Sequence, residues 1–319
     1  MKVKNVKYRV SIKGLPTPKG AISFSALGKI IEVLSQGSER ALRLALEGES
    51  KKKGPTPLWL ARSADFVLTA IRPGSTTLVF EAPILGDVAG SQIKQQDLWA
   101  IVPEPEDTAL TVLSKSVRDA ETGNLDSDRY DPGVLETLLE FKRILDEDNI
   151  QVRLSSTKKK RDGFSLDAKA FKRIERLKTD TPGPQAVLLT GFLNLIEHSQ
   201  RRFEFKLENG QTVRGKIDEN SIPLDAMRTL WGKKVTIKGT LYFMASKKPR
   251  YLEAQVINPR SSGDQVLTSM TYPLPIKDII ATIHRESNEV NVSEIWGKWP
   301  GDESIDELMK ALKEPKLEG

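Results

Sequence analysis

Apolar and polar residues alternate with two different periods along this chain, and the switches between them divide it into elements. Val6, Tyr8, Val10 and Ile12 alternate with Lys7, Arg9 and Ser11, the period of a strand with one buried face. Gly14 to Gly20 breaks that run. Leu27, Ile30, Ile31 and Leu34 then recur at helical spacing, behind Ser23 or Ser25 as the cap, and Ser38 is expected to cap a second helical segment reaching Leu46. Lys51-Lys52-Lys53-Gly54-Pro55 reads as an exposed connection. Phe66, Leu68 and Ala70 alternate, Pro73-Gly74-Ser75 turns, and Leu78 and Phe80 return, which predicts a hairpin around a type II turn.

The period then becomes helical. Leu110, Leu113 and Val117 form one stripe between Asp107 and Ala120, and Val134, Leu138, Phe141 and Leu145 form another between Gly133 and Leu145. Asn149 to Leu154 is short and extended. Phe164 to Leu177 reads as an amphipathic helix capped by Ser165, with Leu166, Ala170, Ile174 and Leu177 apolar. Thr179 to Pro184 carries two prolines and a glycine and is the clearest linker.

Alternation returns after the linker. Val187, Leu189, Gly191 and Leu193 open an apolar run, and Phe203, Phe205 and Leu207 alternate with Arg202, Glu204 and Lys206. Glu208-Asn209-Gly210-Gln211 carries the Asn-Gly pair that most strongly marks a hairpin. Val213, Gly215 and Ile217 return, and Ser221 to Trp231 reads as a short helix. Val235, Ile237 and Leu241 make a fourth strand, and Leu252, Ala254 and Val256 a fifth. Three strands, a helix and two strands is the order of an OB barrel. The run Leu189-Thr190-Gly191, Phe205 to Gly210, Trp231 to Gly239 and Leu252-Glu253-Ala254 resembles an OB-fold module over about a quarter of the chain. That resemblance implies binding of single-stranded nucleic acid, an oligosaccharide or a protein, without choosing among them.

The expected fold is therefore α+β and multi-domain. It comprises an N-terminal α+β domain (1–105), a helical middle segment (106–180), an OB-like five-stranded β-barrel (185–260) and a C-terminal segment (261–319) with a short docked helix. In that tail Ser304 and Glu307 have capping-box spacing. Ile305, Leu308, Met309 and Leu312 form one stripe, and Trp296 and Trp299 flank a turn before it. About ten residues of helix are unstable alone in water, so the tail docks on its own domain or on a partner chain. Trp296 to Ser304 resembles short C-terminal helices of uncharacterised bacterial proteins, some near toxin–antitoxin or defence genes.

Composition narrows the chemistry. The chain has no cysteine, which removes disulfides and thiolate metal sites. No apolar run reaches the about 20 residues of a membrane span, and the N-terminal residues lack the apolar stretch of a signal peptide, so a cytoplasmic location without membrane contact is expected. The only histidines, His198 and His284, stand apart from any Asp, Glu or His at metal-ligand spacing. Neither a Gly-x-Ser-x-Gly elbow nor a phosphate-binding Gly-x-x-x-x-Gly-Lys-Ser/Thr loop occurs. Asp126-Ser127-Asp128 and Asp146-Glu147-Asp148 read as solvated connections. No catalytic residue, metal or cofactor is expected. A metal-dependent hydrolase with carboxylates gathered in space is kept as an alternative.

Charge points to binding instead. The net charge is +6, and between Leu195 and Arg260 there are 13 Lys or Arg against 7 Asp or Glu. On an OB barrel, strands two and three and the loops joining strands one to two and four to five line the ligand groove. Arg201, Arg202, Lys206, Arg214, Lys216, Lys247, Lys248 and Arg250 fall in those places, with Tyr242 and Tyr251 beside the last turn. Cations for phosphates and rings for bases are what a single strand requires. Phe203 and Phe205 are assigned to the barrel core. Lys158-Lys159-Lys160-Arg161 is the densest basic run and reads as a solvated loop. The leading expectation is a non-enzymatic binding or assembly protein whose barrel contacts single-stranded nucleic acid or an acidic partner. The alternative is an interaction component of a toxin–antitoxin or defence operon, gripping a protein through Trp296, Trp299, Ile305, Leu308 and Met309.

Overall fold

The computed structural model of the chain describes residues 3–15, 17–18, 21–72, 76–94, 103–143, 151–157, 162–197, 201–217 and 229–260. The chain divides into two compact units, Met1–Ile276 and Lys277–Gly319, and every described residue belongs to the first. The Pro73-Gly74-Ser75 turn, the Lys158 to Arg161 run, His198, most of the helix expected from Ser221, and the whole tail with Trp296, Trp299, Ile305, Leu308 and Met309 lie outside the described residues.

Strand β1 (Asn5–Lys13) buries Val6, Tyr8, Val10 and Ile12 and exposes the residues between, as its alternation predicts. Helix α1 (Phe24–Glu47) follows, with the Ser23 hydroxyl accepting from the Ala26 amide at 3.2 Å. It is one helix, so Ser38 is not a cap; it lies buried within α1. The reason is tertiary. Val33 and Leu34 before Ser38 and Ala41, Leu42 and Leu44 after it are buried in one core, and that continuous burial outweighs the about 1 kcal/mol a mid-helix glycine costs. A short helix α2 (Leu58–Ser63) leads to the hairpin of β2 (Val67–Arg72) and β3 (Thr76–Pro83). Short α3 (Leu85–Val88) and α4 (Gly90–Lys94) follow.

Helix α5 (Ala109–Thr122) is capped by Thr108, and α6 (Pro132–Leu139) by Asp131, with proline in its first turn. A 3-10 turn over Glu140–Arg143 ends α6, so the helical segment is shorter than its apolar stripe predicts. Strands β4 (Gln151–Ser156) and β5 (Phe164–Asp167) come next, then α7 (Ala168–Asp180). Ser165 thus lies in a strand, and Asp167 is the cap of α7, accepting from the Ala170 amide at 2.8 Å.

These strands form one sheet in the order β2-β3-β1-β4-β5, with every neighbouring pair antiparallel. The middle segment of the chain therefore supplies two strands as well as helices. Through β4 the order of elements is a split βαβ arrangement. The helices cover one face. There Tyr8 reaches α5, its hydroxyl 2.7 Å from the Thr108 hydroxyl and 3.0 Å from that of Thr111.

The barrel consists of β6 (Gln185–Glu197), β7 (Arg202–Leu207), β8 (Thr212–Ile217), β9 (Lys234–Phe243) and β10 (Pro249–Pro259). It closes in the order β10-β8-β7-β6-β9, with β8 and β10 parallel and the other pairs antiparallel. A closed five-stranded barrel is compatible with the OB-like architecture. Phe203 and Phe205 are fully buried inside it with Leu193, Ile237 and Leu252. The Asn-Gly hairpin forms as expected: Gly210 has φ +84°, and the Leu207 amide donates to the Gln211 carbonyl at 2.8 Å.

Candidate functional site

Helix α1 ends at Gly48, whose φ of +89° is the left-handed conformation of a helix C-cap. The helix end leaves carbonyls without intrahelical partners, and it points at the outer face of β7, β8 and β10. Two barrel arginines meet it. Arg202 donates to the Leu46 carbonyl, and Arg250 donates through Nη1 to the Gly48 carbonyl at 2.6 Å. Cations at a helix C-terminus also oppose the negative end of its dipole. Tyr251 lies directly against Gly48, where any side chain would overlap its ring.

The contact extends around this point. Asp131 caps α6 through Oδ1, accepts from the Ser50 amide at 3.1 Å through Oδ2, and stands 4.0 Å from Arg250 Nη2. Tyr242 donates to Glu49 Oε2 at 3.2 Å, and Glu253 lies 3.5 Å from the same hydroxyl. Burial, then the Glu253 charge, raises the Glu49 carboxyl above its usual range. Burial followed by Glu49 and Glu253 raises both the Tyr242 and Tyr251 hydroxyls. The β9–β10 turn meets the α5–α6 loop: the Ser246 amide donates to the Leu125 carbonyl at 2.9 Å, and Lys248 pairs with Asp126 at 2.9 Å. Much of the expected groove face is therefore packed on the chain's own helical layer.

A half-enclosed cleft of about 220 Å³ remains where α1, α5 and the barrel meet. Its floor includes Gly215 and Tyr251. Its walls carry five cations, Lys115, Arg129, Arg202, Arg214 and Arg250, against two carboxylates, Glu47 and Asp128. Carboxylates hold Lys115, Arg129 and Arg250 in place. Asp107 pairs with Lys115 at 2.7 Å, Asp119 with Arg129 at 3.2 Å, and Asp131 with Arg250 at 4.0 Å. Such a wall favours an anion with several acceptor oxygens.

Of the ten barrel residues picked from sequence, Arg202, Arg214, Arg250 and Tyr251 line this cleft. Tyr242 and Lys248 lie in the surrounding contact, and Lys216 stands opposite Arg202 on β8. Lys206 is exposed on β7, opposite Thr212. Arg201 and Lys247 sit in turns with φ of +53° and +69°. Lys115 and Arg129 were not foreseen, because α5 and its following loop carry no local sign of facing the barrel. Among the described residues, no three His, Asp or Glu side chains converge to hold a metal ion, and no helix is long and apolar enough to cross a membrane. Comparison with protein-family models, curated proteins and solved structures returned no match.

Proposed function

We propose that this chain is a binding protein whose OB-like barrel and helical layer together engage the phosphate of an anionic ligand, with single-stranded nucleic acid as the ligand class. The observation that carries this reading is the cleft wall of five cations at the junction of α1, α5 and the barrel. Carboxylates paired with three of them fix those cations before a ligand arrives, which lowers the ordering cost of binding.

Fluorescence anisotropy of the intact chain with labelled single-stranded DNA, single-stranded RNA and duplex, at two salt concentrations, tests the proposal. Single strands are expected to bind more tightly than duplex. For two engaged phosphates, affinity is expected to weaken about five- to tenfold between about 50 and 200 mM salt, through counterion release. Arg214→Glu, with its fold checked by circular dichroism, should abolish binding, whereas Lys206→Glu, outside the cleft, should alter it little. Equal losses in both variants would move the contact to the open barrel surface. No binding of any nucleic acid at low salt would overturn the proposal.

A further inference from the structure

We infer that the cleft takes a phosphomonoester, the doubly charged phosphate that ends a strand or a nucleotide, and not a phosphodiester inside a chain. The inference rests on the phosphate-binding reading above and sharpens it. Its first ground is space. At about 220 Å³, the cleft is smaller than the about 300–1,000 Å³ of sites that enclose drug-sized ligands. It suits a phosphate with the sugar that carries it, and not a run of stacked bases.

The second ground is what surrounds the cleft. A strand crossing an OB barrel continues over the outer face of its middle strands and past the β9–β10 turn. Here α1 occupies that face through the Arg202 to Leu46 and Arg250 to Gly48 hydrogen bonds and the Tyr251 ring. The β9–β10 turn is held on the α5–α6 loop through Ser246 and Lys248. An internal phosphodiester needs chain leaving on both sides. A terminal phosphate needs a single way in.

The third ground is chemistry. Arg250 lines the cleft with its side chain 4% exposed, and its Nη1 is anchored on the Gly48 carbonyl. Arg129 is held by Asp119 through Nη1. Two guanidiniums fixed by other bonds hold positive charge at the cleft wall, which suits a doubly charged group. A phosphomonoester has three terminal oxygens and a charge of about −1.5 to −2 at neutral pH. A diester offers two such oxygens and one charge. Arg202, Arg214 and Lys115 add the positive field that makes the second charge favourable.

The test uses the full chain and short labelled oligodeoxythymidylates that differ only at their ends: 5′-phosphate, 3′-phosphate, or hydroxyl at both. Thymidine 5′-monophosphate and inorganic phosphate serve as competitors. The inference predicts that one phosphorylated end binds at least about tenfold more tightly than the hydroxyl oligonucleotide, equivalent to about 1.4 kcal/mol. That preference should shrink below about pH 6, where the monoester loses its second charge, and it should disappear in Arg214→Gln. If Arg214→Gln does not fold, the comparison of oligonucleotide ends on the native chain decides alone. Equal binding of phosphorylated and hydroxyl oligonucleotides would overturn the inference and leave the proposed function standing. Binding of the mononucleotide but of no oligonucleotide would support the inference, make a free nucleotide the source, and overturn the nucleic-acid reading. If no oligonucleotide, nucleotide or phosphate binds, both fall.

Discussion

Gly48 meets two demands at one position. Its φ of +89° closes α1, and the Tyr251 ring fills the space where a side chain would stand. Gly48→Ala therefore combines left-handed strain with overpacking at the barrel contact, and is expected to destabilise the chain by about 1–3 kcal/mol. A lowered urea midpoint with unchanged m-value would report it; an unchanged midpoint would mean that the barrel does not rest on α1. Glu49 gives a pH signature at the same contact. Because its carboxyl is raised by burial and by Glu253, the folded state binds a proton more readily than the unfolded state. Its stabilising contribution is complete below the ordinary carboxylate value and is lost as pH rises through the raised one. Glu49→Gln, which keeps an acceptor for Tyr242, should then raise the melting temperature at neutral pH and change it little near about pH 4. A lower melting temperature at neutral pH would contradict the assignment. Neither role was legible beforehand: Gly48 follows an apolar helical stripe, which marks a helix end, but nothing near it announces a tyrosine 203 positions later in the chain.

At the scale of elements, alternation was a reliable guide where one face is buried throughout. β1, β3, α5 and the five barrel strands lie where their periods place them, whereas β2, though paired with β3 as expected, is exposed along its length. The misplacements have tertiary causes. Ser38 has the chemistry of a cap, but the buried stripe that runs from Val33 and Leu34 to Ala41 and Leu42 carries α1 through it. Phe164 and Leu166 alternate for only four residues, too few to stand out before a strong helical stripe, and pairing with β4 decides their conformation. The displaced cap gives a direct test. Asp167→Ala removes an acceptor from the Ala170 amide and should destabilise the chain by about 0.5–2 kcal/mol. Ser165→Ala should fall within about 0.5 kcal/mol of the parent, as ordinary strand substitutions do. Thermal or chemical denaturation of both variants measures the difference, and the opposite ranking would restore Ser165 as the helix start.

At the scale of the whole molecule, the decisive event is the use of the barrel's basic face. Sequence placed Arg202, Arg214, Arg250 and Tyr251 on one region of a barrel, because strand period and hairpin register fix which residues share an outer surface. It could not show that α1 would press its C-terminus onto that region, since the bonds that do so join positions 156 and 202 apart. Docking turns a long open groove into a small cleft and brings Lys115 and Arg129 to it from another part of the fold. Open carbonyls at a helix end and donors on a barrel satisfy one another, and Lys115, Arg129 and Arg214 line the space left over. The account's central claim is that this space is where the ligand's phosphate sits. Amide hydrogen exchange of the full chain, with and without a saturating 5′-phosphorylated oligodeoxythymidylate, tests that claim most directly. The account predicts slower exchange at the end of α1 around Leu46 to Gly48, around Arg129, and along β8 and β10 near Gly215 and Tyr251. Protection confined to surfaces away from these three segments, or none at saturation, would contradict it.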